Sequence, residues 1–96
     1  MMLLVTYDVS TESAAGKKRL SKVAKTCIHY GQRVQNSVFE CHLDGAQRRK
    51  LEAELVKIIN QEEDSLRFYN LGEHYHSKVT HIGIKPSINV DEALIV

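Results

Sequence analysis

Apolar side chains recur along this chain with two different periods. Met2-Leu3-Leu4-Val5-Thr6-Tyr7 is a short β-prone run that stops at Asp8, the pattern of a buried strand whose last residue meets solvent. Leu20, Val23, Ala24, Cys27 and Ile28 then fall at i, i+3, i+4, i+7 and i+8, which marks one face of a helix closed by Gly31. The β-prone run Arg33 to Leu43 breaks strict alternation: Val34 is out of phase with Phe39, Cys41 and Leu43, so a bulge or bend is expected near Asn36 and Ser37. Asp44-Gly45-Ala46-Gln47 resembles a capping box, and Leu51, Leu55, Ile58 and Ile59 form the stripe of a second helix. Leu66 to Leu71 reads as a third strand, Gly72 to Lys78 as a polar hairpin connection and Val79 to Ile84 as a fourth strand. Pro86 ends that run, and Ala93-Leu94-Ile95-Val96 is a candidate fifth.

Taken literally, these elements run β-α-β-α-β-β. Splitting the Arg33 to Leu43 run at its bend converts them to β-α-β-β-α-β, the ferredoxin-like α+β order with an antiparallel sheet and two helices on one face. A two-residue hairpin at Asn36-Ser37 lacks the glycine such turns favour. The helices would cover Leu3, Val5, Leu66 and Phe68, while Leu4, Tyr69 and Leu71 would face the other way and leave a second apolar surface. Isologous packing of two such sheets would bury it, so a homodimer is expected, with the tail 86–96 pairing across it.

At 96 residues the chain has room for one domain, 1–96, and domains of this size bury only roughly 60 to 68% of their unfolded surface. No apolar stretch approaches the roughly 20 residues of a membrane span, and no leader pattern opens the chain, so a soluble, cytoplasmic protein is expected. Cys27 and Cys41 lie in apolar segments without a Cys-x-x-Cys spacing and read as reduced core residues. A net charge of +1 conceals basic clusters at Lys17, Lys18, Arg19 and at Arg48, Arg49, Lys50, against an acidic run at Glu62, Glu63, Asp64. A local basic cluster can hold phosphate even in a near-neutral chain, although charge alone favours a solvated helix face.

Asp8 is the sharpest chemical candidate. An acid at the end of an apolar strand holds a partner, caps the following turn or faces an accessible site. Magnesium or manganese commonly takes one or two carboxylates with water and phosphate oxygens, and a two-fold axis near the strand end would bring two copies of Asp8 together. His74-x-His76 would put two rings on one face of a strand but has no further ligand at zinc spacing. Nucleotide-loop and acyl-transfer motifs are absent from the sequence.

Tyr7-Asp8-Val9, Gly16-Lys17-Lys18-Arg19-Leu20 and the run Gly31 to Glu40, with its Arg33-Val34-Gln35-Asn36-Ser37-Val38-Phe39-Glu40 core, together resemble the CRISPR-associated protein 2 family. Beyond Leu43 the likeness is one of pattern. The resemblance implies a ferredoxin-like homodimer of CRISPR adaptation that joins the CRISPR-associated protein 1 integrase and helps hold the DNA destined to become a spacer. It also implies a magnesium- or manganese-dependent endonuclease for double-stranded DNA or RNA. On that resemblance Asp8 is the metal-binding and catalytic acid, and Tyr7, Arg33 and Phe39 belong to the nuclease site. Lys17, Lys18, Arg19 and Arg33 hold the nucleic-acid backbone, with lysine standing at part of what is often arginine. The family further implies that the Arg33 to Leu43 strand can bend without forming a hairpin. A non-catalytic dimeric scaffold for the integrase is the alternative function, and a ferredoxin-like toxin or small-molecule regulatory dimer a third.

Overall fold

The computed structural model describes residues 1–84. Its elements are β1 (Met2–Asp8), α1 (Ala14–Tyr30), β2 (Gln32–Gln35), β3 (Val38–His42), α2 (Gly45–Ile58) and β4 (Ser65–Gly72), followed by a 3-10 turn at Tyr75–Lys78. The strands form one antiparallel sheet in the order β2-β3-β1-β4, the ferredoxin-like arrangement. Alternation along the two central strands explains the layering. Leu3, Val5, Tyr7, Phe39, Cys41 and Leu43 point to one face and meet Val23 and Cys27 of α1 and Leu51 and Leu55 of α2 in a single core. Leu66 and Phe68 pack at its edge.

The break in phase within Arg33 to Leu43 is a hairpin. Gln35 faces Val38 across Asn36-Ser37, but Arg33 already faces Phe39, so Val34 is the extra residue of a bulge. Among the described residues no non-glycine has positive φ, which excludes the mirror-image turns that usually set hairpin twist. The bulge supplies that twist instead, so the turn needs no glycine. The run thus splits at its bend into the β-α-β-β-α-β order expected, and the bend without a hairpin that the resemblance allowed does not occur. In β4 a second register shift, between Met2 and Leu3 of its partner strand, leaves Leu71 unpaired.

Both helices start where side chains satisfy their open N–H groups. Ser13 Oγ accepts from the Gly16 N–H at 3.0 Å, and Asp44 and Gln47 close a reciprocal capping box at 2.7 and 2.9 Å. Gly31 caps α1 through its N–H to the Cys27 carbonyl at 2.9 Å. Its conformation is extended, and what requires glycine is space: a Cβ there would meet Cys41 Sγ and the Glu40 carbonyl at 2.4 Å. Ile28, expected on the buried stripe of α1, is 57% exposed, because Leu20, Val23 and Cys27 define the contact line and Ile28 lies past its margin.

Val79 to Ile84 is not a strand. Gly72, at φ 77, turns the chain out of β4, and the 3-10 turn, pinned by Ser77 to the His74 carbonyl and by Lys78 to the Leu71 carbonyl, stands where the hairpin was expected. A β-prone run gains ladder bonds only beside an available edge, and the turn directs this one across the outer sheet face. There Val79, Ile82 and Ile84 share a groove with Leu4, Val34 and Val38. His74 and His76 accordingly sit in the turn and not on a strand. The expected tail strand at 93–96 lies outside the described residues.

Candidate active site

Asp8 ends β1 opposite Ser65 of β4 and is exposed, while its neighbour Tyr7 is buried. The strand's pleat separates them onto opposite faces. On the helix side, Tyr7 stacks on Phe39 with ring centroids 6.2 Å apart, and the Arg33 guanidinium carbon lies 5.1 Å from the Phe39 ring centre. The Tyr7 hydroxyl donates a long hydrogen bond, 3.4 Å, to the Asn36 carbonyl. Burial raises the phenol's pKa, partly offset by Arg33, so Tyr7 is a neutral group at physiological pH. Phe39 has no exposed surface. It is a platform that fixes Arg33 by a cation–π contact, and Arg33 itself is exposed on β2. Tyr7, Phe39 and Arg33 thus form one stack, but Asp8 is not in it: β3 lies between β1 and β2, a spacing of roughly 10 Å.

The loop leading from Asp8 into α1 is fastened by a residue that periodicity does not reveal. The Asp64 side chain has no exposed surface. Its carboxylate accepts from the Ser10 N–H at 3.0 Å, the Asn60 N–H at 2.8 Å and Arg19 Nε at 2.8 Å. Arg19 also reaches Glu63 at 3.0 Å. The Arg19 guanidinium above all, with the two backbone N–H groups, holds the Asp64 carboxyl down at about 2 against the cost of burial. Gly16 completes the fastening, since a Cβ there would lie 1.9 Å from the Ser10 carbonyl oxygen. Only glycine lets the start of α1 approach this loop so closely.

Two consequences alter the expected nucleic-acid contacts. Arg19, grouped with Lys17 and Lys18 in the sequence, is engaged inside the domain with Asp64 and Glu63 and is not available to phosphate. Lys17 and Lys18, in contrast, are exposed on α1. Among the described residues no group of three or more His, Cys, Asp or Glu side chains converges; Asp8 is the exposed acid at the end of β1, and Asp64 behind it is taken up by Arg19 and two backbone N–H groups. Cys27 and Cys41 are buried free thiols, pushed by burial up to about 12 and about 11, and stay protonated.

This sheet order, with an exposed acid ending the first strand and an Arg-on-Phe stack beyond the next, coincides with a match to the family described as CRISPR associated protein Cas2 over residues 1–79. The chain belongs to the Cas2 family. It is 58% identical over 95 residues to the CRISPR-associated endonuclease Cas2 of Halalkalibacterium halodurans, covering 99% of both chains. It is 50% identical over 96 residues, and all of both chains, to the CRISPR-associated endoribonuclease Cas2 of Chlorobaculum tepidum. The crystal structure of Streptococcus pyogenes Cas2 at pH 6.5 superposes with a TM-score of 0.77 at 53% identity, over 86% of this chain and 100% of that one. A chain of a partial Cas6-RT-Cas1–Cas2 complex matches at TM-score 0.68 and 32% identity, over 88% and 93%.

Proposed function

We propose that this Cas2 protein is a homodimeric, divalent-metal-dependent phosphodiesterase of CRISPR spacer acquisition, acting in the cytoplasm. The observation that carries the reading is the exposed Asp8 at a strand end in a chain whose full-length relatives are named endonuclease and endoribonuclease. One carboxylate with open space around it suits magnesium or manganese, hard ions that keep several waters and take few protein ligands. Asp8 and its symmetry mate would hold the ion, which, when bound, supplies a more acidic water and charge neutralisation at the scissile phosphate. Arg33, held by Phe39, and the exposed Lys17 and Lys18 would orient the backbone. Such contacts carry no base information, so selectivity for sequence is weak, and double-stranded DNA and RNA are both candidate substrates.

The outer sheet face supplies the dimer reading. Leu4, Val34 and Val38, with Gln32, Gln35 and Glu40 among them, line one side of a groove, with Tyr69 40% exposed on the same face, and a second copy packing there would bring the β1 ends near a two-fold axis. A second reading, a non-catalytic scaffold for the CRISPR-associated protein 1 integrase, draws on the likeness to a chain solved within a Cas1–Cas2 assembly and uses the same dimer. Asp8→Asn separates them. On the nuclease reading, metal-stimulated cleavage of duplex DNA or RNA falls at least about a hundredfold while sedimentation still gives a dimer. Cleavage at the wild-type rate by purified Asp8→Asn overturns the site. Spacer acquisition that continues in cells carrying this variant establishes the scaffold role as the one adaptation needs.

A further inference from the structure

The helical layer carries most of the chain's positive charge. Nine of the thirteen lysines and arginines lie on α1 and α2, with only two of the twelve acidic residues. Both acids are engaged: Glu52 faces Arg48 at 3.8 Å and Glu54 accepts from the Tyr30 hydroxyl at 3.2 Å. Arg19 is spent on Asp64. What stays exposed is Lys17 and, at i, i+4 and i+7 of α1, Lys18, Lys22 and Lys25, with Arg49, Lys50 and Lys57 on α2. None of the seven has an ion-pair partner among the described residues.

This placement works against the helices that carry it. Like charges three and four residues apart destabilise a helix by about 0.2–0.5 kcal/mol per pair, and basic groups near a helix start oppose its dipole. Neither helix has an acidic residue in its first turn. Local choices that oppose the fold at an exposed surface point to a partner. The helices run antiparallel on one sheet face, and the Tyr30–Glu54 contact sets their offset. Lys57 therefore falls alongside the second half of α1, and Arg49 and Lys50 fall beyond its end. The seven cations extend over roughly 27 Å, the axial rise of about eight base pairs.

We propose that the outer face of the α1–α2 layer is a phosphate track for duplex nucleic acid, leading away from Lys17 and Lys18 beside the Asp8 edge and lying on the side of the sheet opposite the proposed dimer face. It rests on the nucleic-acid reading above and extends it to Lys22, Lys25, Arg49, Lys50 and Lys57. Duplex is favoured over single strand because the exposed large apolar residues of these helices are Ile28 and Val56. A single-strand groove needs aromatic stacking platforms, and two helices set about 8–10 Å apart offer two rows of charge to two strands.

The test uses the full chain with a 30-base-pair DNA, measuring affinity against salt concentration. Replacing Lys22, Lys25 and Lys57 together by glutamine should weaken binding and make the slope of log affinity against log salt shallower by about 2.7, at about 0.9 per lost phosphate contact. Thermal unfolding should show no loss of stability. An unchanged slope overturns the track alone. A wild-type protein that binds with the full slope yet never cuts overturns the nuclease reading and leaves the track standing, whereas no duplex binding at all overturns both. Displacement of the duplex by polyglutamate as effectively as by competitor DNA of equal charge would assign the face to an acidic protein and overturn the proposal.

Discussion

Asp64 illustrates what a single buried carboxylate does for an edge it does not itself form. It joins the loop after β1 to the loop after α2 and to Arg19 of α1, so the segment carrying Asp8 is held from three sides. Its carboxyl is depressed to about 2 from an ordinary 3.8, which corresponds to about 2 kcal/mol of folding stability. A depressed acid contributes fully above its unfolded value and loses that contribution as pH falls through its folded value. Acid unfolding followed by circular dichroism should therefore show a loss of stability between about pH 4 and pH 2 that is absent in Asp64→Asn, itself less stable at pH 7. Asp64→Ala should cost about 2 to 3 kcal/mol in urea denaturation, at the low end for a broken buried pair because Arg19 can turn toward water. The sequence presents Asp64 only as the last of three acids in a row. Asn60 four residues earlier was the available signal, a polar side chain and backbone turn ahead of a strand, but which of the three acids is drawn inward is decided by the distant Ser10 and Arg19.

Among the elements, those with strong periodicity and a cap were legible: β1, α1, the capping box of α2 and β4 all stand where pattern and turn chemistry place them. The β2–β3 hairpin was legible only as a phase error at Val34, since a bulge leaves that trace whether the chain bends or reverses. Val79 to Ile84 misled because β-propensity describes a surface that fits a pleat and cannot supply an edge to join. Gly16 was visible within the family motif, but its reason, the backbone of Ser10 lying against it, belongs to the fold. Gly16→Ala must push the start of α1 away from that loop and should cost about 1–3 kcal/mol, seen as a lowered melting temperature. The α1 surface behaves oppositely. Replacing Lys18 and Lys22 by glutamine relieves a repulsive i, i+4 pair and should leave the melting temperature equal or slightly raised at low salt, a difference that added salt removes.

At the scale of the whole molecule the two sheet faces are unlike. One is closed by α1 and α2 over a core of fully buried side chains, and the other carries Leu4, Val34 and Val38 beneath a segment whose Ile82 and Ile84 are 89% and 92% exposed. Gln32, Gln35 and Glu40 lie among these apolar side chains, so the face has the mixed character of a contact between copies and not of a closed core. An isologous partner covers it on both copies at once, and the same contact would supply the second Asp8 that a single chain lacks. The sequence exposes this through Leu4 and Tyr69 being out of phase with the core, and it cannot give the path of the segment that crosses the face. Because Ile82 and Ile84 touch little within one chain, Ile82→Asp with Ile84→Asp should leave the unfolding transition of the domain nearly unchanged. If the face is the dimer contact, placing four charges across two copies of it should shift sedimentation equilibrium at micromolar concentration from dimer to monomer. Metal-stimulated cleavage should fall with the dimer fraction and return as protein concentration is raised, a recovery that loss of a catalytic group in Asp8→Asn would not allow. A double variant that remains fully dimeric would move the contact to another surface.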